Sequence, residues 1–299
     1  MFGPSIRNSI NIELDYHHRE DKFFNIYKDI QRVFRELFAI GDDREIVVIT
    51  GSGTLAIEIV VNSYKGTLNV LGVDGTFKAR WQALVERYGK ADKKGKALIV
   101  QLETSNSHLS DLGDPKPFIL DCISAFPYYD IPPGTEIAVT VSSKILGAAP
   151  VLGIVVFKRD VLKDMIGFDD FTYLNLRRIH DYGRQGQTPH TPAIPLYEDL
   201  LRKLRDFDLA AVRRQIRDNS ALVVDAFGQD RFVGEIVCPV LTFKDDVTFP
   251  DWFLERHSLY GKSNAGLKDG SYQVFTYSDR RSAYEKLAED LEKVRRLGS

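Results

Sequence analysis

Four short segments of this chain combine residue types that can carry chemistry. Gly51-Ser52-Gly53-Thr54 places two glycines and two hydroxyls together. Glycines let a backbone approach an anion closely, and a helix starting there would aim free N–H groups and its dipole at a phosphate. Taken alone, the same tetrapeptide is an ordinary tight turn. Asp121 ends the apolar run PFILD. A carboxylate so placed can keep a heterocyclic nitrogen protonated, or it can merely cap a helix or turn. Lys144 follows VTVSS. Its amine can attack an aldehyde when its pKa is depressed, and is otherwise a surface charge. Phe77, in GVDGTFKARW, can stack on a flat ring or pack in a core. Each segment is weak by itself; their order along the chain is what gives them weight.

The elements around these segments alternate. Residues 23–38 carry apolar side chains at helical intervals (Phe23, Ile26, Tyr27, Ile30, Val33, Phe34, Leu37) and predict an amphipathic helix. EIVVIT predicts a buried parallel strand, followed at once by GSGT and the apolar helix LAIEIVVNS. LNVLGV, ALIVQL, PFILDCIS, EIAVTVSS and GIVVFK read as further strands, and FKARWQALVERYG as a helix stopped by Gly89. Such alternation predicts a mostly parallel sheet covered by helices on both faces. Ligands of such sheets sit at the carboxyl ends of the strands, where all four segments fall. From Pro195 a long helix, interrupted near Asp206, leads to VGEIVCPVLTF, an aromatic-rich connection, SYQVFTY and a charged closing helix. That last part suggests a smaller α+β unit, with the closing helix read as a solvated face of i,i+4 charge pairs.

Composition sets the outer limits. The 299 residues are 43% hydrophobic and 27% charged, with a formal net charge of -2, so no global attraction to nucleic acid or acidic membranes is expected. A local basic groove stays open as an alternative. No apolar run approaches the roughly 18 residues a membrane span needs, and the N-terminus lacks the pattern of a secretory signal. Cys122 and Cys238 form no metal-ligand spacing, His17 and His18 are merely adjacent, and a reducing cytoplasmic setting is the default expectation.

With these residues in view, the sequence resembles the class V aminotransferases of pyridoxal-phosphate (PLP) fold type I, in the branch of alanine–glyoxylate and 2-aminoethylphosphonate transaminases. DYHHREDKFFNIYKDIQRVFRELF resembles that family's "SHR…F" segment and first long helix, and ITGSGTLAIEIVVNS its phosphate-binding turn. VDGTFKARW resembles "G-x-aromatic-G-x-R", QLETSNS resembles "ETSTG", and LDCISAF resembles "VDAVSSFG". VSSKILGAAPVLGIVVF resembles the "S-x-K…G…P…G" lysine segment, and GQTPHTPAIPLYEDLLRKL the "TPPT…LYAL" stretch. Seven segments in the family's order cover most of the chain.

The resemblance implies a large PLP-binding domain at 16–198 and a small domain made of 1–15 and 199–299. It implies a homodimer with shared active sites, PLP as cofactor, and ping-pong transamination of a small amino compound. Lys144 would hold PLP as a Schiff base and serve as general base and acid, with Asp121 facing the pyridinium nitrogen. Ser52, Gly53 and Thr54 would bind the phosphate, Phe77 would stack on the ring, and Thr104, Ser105, Ile123 and Ser143 would also contact the cofactor. Thr191 would reach the phosphate of the neighbouring subunit. One departure concerns the substrate: the family's carboxylate-binding arginine of "FRIG" aligns with Gln273 in SYQVFTYS. A neutral amide cannot replace a guanidinium's paired, charge-assisted contacts. Either Arg280 or Arg281 compensates, or the substrate has no acidic group at that point. Two other functions are weighed beside transamination. One is a PLP lyase, decarboxylase or modifier of an unusual substrate such as a modified nucleobase; the other is a non-catalytic binding protein on the same scaffold.

Overall fold

The computed structural model describes residues 15–236, 238–244, 249–257, 259 and 271–297, with side chains to 294. Most of the segment 1–15, assigned above to the small domain, lies outside the described residues. The elements run in the order α1 (Asp21–Leu37), β1 (Arg44–Thr50), α2 (Gly53–Ser63), β2 (Leu68–Leu71), α3 (Thr76–Arg87), β3 (Lys96–Val100), β4 (Leu102–Glu103), β5 (His108–Leu109), β6 (Ile119–Asp121), β7 (Ile137–Val141) and β8 (Leu152–Lys158). There follow α4 (Leu176–Gly183), α5 (Ile194–Arg205), α6 (Leu209–Phe227), β9 (Phe232–Val233), β10 (Val240–Lys244), α7 (Asp251–His257), β11 (Ser271–Phe275) and α8 (Arg281–Leu297).

Six strands form the main sheet in the order β1-β8-β7-β6-β3-β2. The pairs among β7, β6, β3 and β2 are parallel, as expected. β8 is the exception and runs antiparallel to both neighbours, β1 and β7. β1 therefore points the same way as the parallel strands, although its partner runs against it. The central strands are buried almost throughout, β7 completely, as continuous apolar strands covered on both faces must be. On one face α1 and α5 pack together; α1 buries Phe23, Tyr27, Ile30, Val33 and Phe34, the stripe its periodicity predicts. On the other face lie α2, α3 and α4, around Ile57, Val60, Trp81 and Val85.

A third apolar cluster gathers around the three-stranded antiparallel sheet β11-β10-β9 with α6, α7 and α8. It begins at Val223, in the second half of α6. A division of the chain between residues 198 and 199 falls inside α5, whose buried Tyr197, Leu200, Leu201 and Leu204 join the main-sheet cluster. The expected interruption near Asp206 is found, since α5 ends at Arg205 and Asp208 caps α6 through Ala211 N–H. The closing helix α8 is not simply solvated. Tyr284, Leu287 and Leu291 are buried against the third cluster, and Asp290 is fully buried, paired with Arg256, His257, Lys286 and Lys293. Burial works against its charge, but those four donors outweigh it and hold the carboxyl below the usual range. No helix among the described residues is long and apolar enough to cross a membrane.

Candidate active site

A cavity of about 290 Å³ opens where the strand ends expected to hold a ligand converge. Its walls come from the start of α2, the first turns of α3, the ends of β6 and β7, and the loop between β7 and β8. β8 enters the sheet in reverse, so the residues before it, Pro150 and Val151, reach the same cavity that the other strands meet at their ends.

Ser52 caps α2, its Oγ accepting the Leu55 N–H at 3.2 Å. The first-turn amides of an α-helix have no intrahelical acceptors, so Ser52, Gly53 and Thr54 present donors and a favourable dipole to the cavity. Gly53 is required by close packing: a Cβ there would lie 2.6 Å from Ile123 Cδ1 and 2.8 Å from Val141 Cγ1. Lys90 secures the other end of the helix by donating to the carbonyls of Val61, Asn62 and Tyr64.

Asp121 is the last residue of β6 and is 5% exposed. One carboxylate oxygen accepts the indole N–H of Trp81 at 2.7 Å, and the other accepts the Ile123 N–H at 3.1 Å. Burial pushes its pKa up from 3.8 to about 6, and Glu103 adds to the rise. The two hydrogen bonds and the positive charge of Lys144 oppose it.

Lys144 begins a short 3-10 turn, Lys144–Leu146, immediately after the β7 end. Its φ of 60° lies in the left-handed region, where a side chain costs about 1–2 kcal/mol. Such outliers persist where the surrounding structure imposes them, often at working sites. Burial lowers the amine's pKa, while Asp121 pulls the other way. Among the described residues the ammonium has no hydrogen-bond partner; its nearest aromatic face is Phe275, 5.4 Å from the ring centroid.

Phe77 stands in the first turn of α3, held by a carboxylate from a different strand. Glu103 of β4 accepts the N–H groups of Phe77 and Lys78, capping a helix whose own N-cap, Gly75, has no side chain to do so. A Cβ on Gly75 would fall 2.2 Å from Glu103 Cγ, so the glycine makes room for that carboxylate.

Of the residues singled out from sequence, Ser52, Gly53, Thr54, Phe77, Thr104, Asp121, Ile123, Ser143 and Lys144 share this cavity. Ser105, Thr191, Gln273, Arg280 and Arg281 do not line it. Ser105 turns away, its Oγ donating to Glu103 at 2.7 Å and accepting the Thr76 N–H. Thr191 is exposed and borders a separate, smaller cavity of about 100 Å³ with His190 and Tyr197. Gln273 is buried within β11, where its amide donates to the Thr104 carbonyl and, at 3.0 Å, to Thr242 Oγ1. It joins the small sheet to the cavity rim rather than presenting a free group to a substrate. Arg280 is exposed, and Arg281 pairs with Glu285 on the helix surface. Trp81 and Glu103 were not singled out, although Trp81 lies four residues after Phe77 and thus on the same helix face. Both cysteines are buried, which pushes the Cys122 thiol up and that of Cys238 to about 12, so neither is poised as a nucleophile.

No family model matches the sequence, and no curated protein does. Solved structures are similar over almost the whole chain. An aspartate aminotransferase of subgroup IV from Thermus thermophilus superposes with a TM-score of 0.81 at 21% identity, covering 98% of each chain. An alanine–glyoxylate aminotransferase from Nostoc sp. gives 0.80 at 19% identity, covering 97% of this chain and 92% of that one. A phosphoserine aminotransferase from Cytophaga hutchinsonii gives 0.78 at 17%, covering 93% and 91%. The chain has the α/β architecture of fold type I that these structures share, as its sequence leads one to expect.

Proposed function

We propose that this chain is a PLP-dependent aminotransferase of a small amino compound, with Lys144 as the residue that holds the cofactor. The observation that carries the reading is the convergence on one cavity of a helix N-terminus, an aromatic ring, a buried carboxylate and an amine that has no hydrogen-bond partner among the described residues. That donor set fits PLP: the start of α2 suits its phosphate, Asp121 its ring nitrogen, Phe77 its ring face and Lys144 its aldehyde. The fold-sharing aminotransferases named above support the same reading by analogy.

When bound, PLP supplies an electrophilic carbon and an electron sink. The chain supplies the rest. Ser52, Gly53 and Thr54 anchor the phosphate without spending a charged side chain. Asp121, ionised, sets a negative charge against the ring nitrogen and keeps that nitrogen protonated. Lys144, whose charged form burial disfavours, is placed to take a proton from the substrate carbon and return it one position away. Thr104 and Ser143 offer hydroxyls at the rim. No arginine lines the cavity among the described residues, and Gln273 is committed elsewhere. This favours a substrate with no acidic group at that point.

The assembly belongs to the same proposal. A homodimer would cover the exposed aromatics Phe171 and Tyr173, the latter stacked on His190 beside Thr191. We place the protein in the cytoplasm, acting on a small molecule and not at a membrane. The test is to incubate the protein with PLP, reduce with borohydride and map the adduct. A yellow protein labelled at Lys144, and a Lys144→Ala protein left unlabelled, are the expected results. A wild-type chain that stays colourless and unlabelled in excess PLP refutes the proposal.

A further inference from the structure

Trp81 is one of two tryptophans in the chain and is 1% exposed. A buried indole N–H needs an acceptor, and any backbone carbonyl would serve. Here the acceptor is the carboxylate on the cavity wall, at 2.7 Å. We propose that Trp81 is a positioning residue whose indole N–H fixes the Asp121 carboxylate for a ring nitrogen entering the cavity. The inference rests on the PLP reading above and assigns a task to a residue outside it.

The geometry builds this arrangement from one helix. Phe77 and Trp81 are four residues apart on α3, so the same face delivers the stacking ring and, one turn later, the N–H that reaches Asp121. Glu103 anchors the first turn of that helix, setting the height of both side chains against the cavity. Trp81 and Ile123 donate to different oxygens of Asp121, so the carboxylate cannot rotate without losing one of them. Each oxygen retains a further lone pair for a third donor.

Charge reinforces the geometry. A donor to the ionised form favours that form, and charge-assisted bonds of this length are the strong ones. The charged groups facing Asp121 are Glu103 of β4, which opposes its ionisation, and Lys144, which favours it; the neighbouring Cys122 is held neutral by burial. Against burial and Glu103, the indole is a neutral donor that stays in place whether or not Lys144 carries its charge.

Two measurements on the full-length chain decide the matter. The first is PLP affinity in Trp81→Phe, Asp121→Asn and the double variant. Trp81→Phe is expected to weaken binding roughly tenfold at pH 6, corresponding to one hydrogen bond to a charged group, and less at pH 8, where Asp121 is ionised without help. The double variant should bind no more weakly than Asp121→Asn alone. Penalties that add, or a loss equal at both pH values, overturn the proposal and leave Trp81 a packing residue. The second needs no cofactor and covers the case in which Trp81→Phe fails to fold. In a Trp252→Phe chain Trp81 is the sole indole, and adding Asp121→Asn should change its emission. Emission that superimposes with and without Asp121 between pH 5 and 8 overturns the proposal. A wild-type chain that binds no PLP refutes the earlier reading instead, while the emission result still judges the contact.

Discussion

Replacing Asp121 by Asn should make the cofactor-free chain relatively more stable as pH rises. In the folded chain the carboxyl is raised from 3.8 to about 6, chiefly by burial. A raised folded pKa means that the protonated acid is accommodated while the ion is penalised. The associated stability is fully present below about pH 4 and is lost as pH climbs through about 6. Each pH unit corresponds to about 1.4 kcal/mol, so the two-unit rise is worth about 3 kcal/mol between pH 4 and pH 7. Asparagine carries no such penalty. It does lose something at every pH, because its single carbonyl can accept from Trp81 or from Ile123 but not from both. The offset is constant, so the diagnostic quantity is the slope. Urea unfolding of both proteins, without PLP, at half-unit steps from pH 4.5 to 8 gives the difference curve. It should rise in favour of Asn by about 2 kcal/mol over this range, the first part of the loss lying below pH 4.5, and level off near pH 7. Adding PLP should reverse its sign, since the ionised acid then has a cation to face. A difference that stays flat across this range would refute the assigned environment of Asp121.

Other residues give further expectations. Lys144→Gly should be about 1 kcal/mol more stable than Lys144→Ala by urea unfolding, because only glycine adopts a φ of 60° without strain. Gln273→Ala removes two buried hydrogen bonds and leaves the Thr104 carbonyl unpaired, a loss of about 2–3 kcal/mol in the same assay. Gln273→Arg should be destabilising too, with no gain in turnover of simple α-amino acids; improved turnover would show that this position does face the substrate. Gly53→Ala pushes a methyl against Ile123 and Val141, and should cost about 1–3 kcal/mol and weaken PLP binding, read by titration of the cofactor absorbance.

How much of this could be read from sequence depends on which physical constraint each residue obeys. The stripe of α1, the break near Asp206 and the capped turn at Ser52 are local, and periodicity or turn chemistry reveals them. The direction of β8 is not local: LGIVVFK is as apolar run one way as the other, and only the tertiary arrangement reverses it. Thr104 and Ser105 read alike as adjacent hydroxyls, yet neighbouring residues point to different sides, and only Thr104 meets the cavity. Gln273 is polar on a strand, which suggests a ligand contact until its partner Thr104, 169 residues away in sequence, is seen. Glu103 was hidden for the same reason, since its use as a helix cap depends on a contact between separate elements. Asp290 sits among charges that spell a solvated helix; its burial follows from α7 packing onto α8.

The loop that carries Lys144 has consequences for how this sequence can change. It joins two adjacent antiparallel strands, β7 and β8, and is fastened at close intervals. Ser142 N–H donates to Leu152, Ala148 N–H to Ser142, and Ser142 Oγ to Ala149. Asp199 of α5 accepts the Ala149 N–H at 2.7 Å. A nucleophile staked in this way has given up its chain entropy during folding, before any substrate arrives. The same staking leaves no slack: one residue inserted between Val141 and Leu152 must either break the β7–β8 pairing or carry Lys144 away from Asp121. Length variation in descendants of this protein should therefore spare those few residues and collect in connections that lack such fastening.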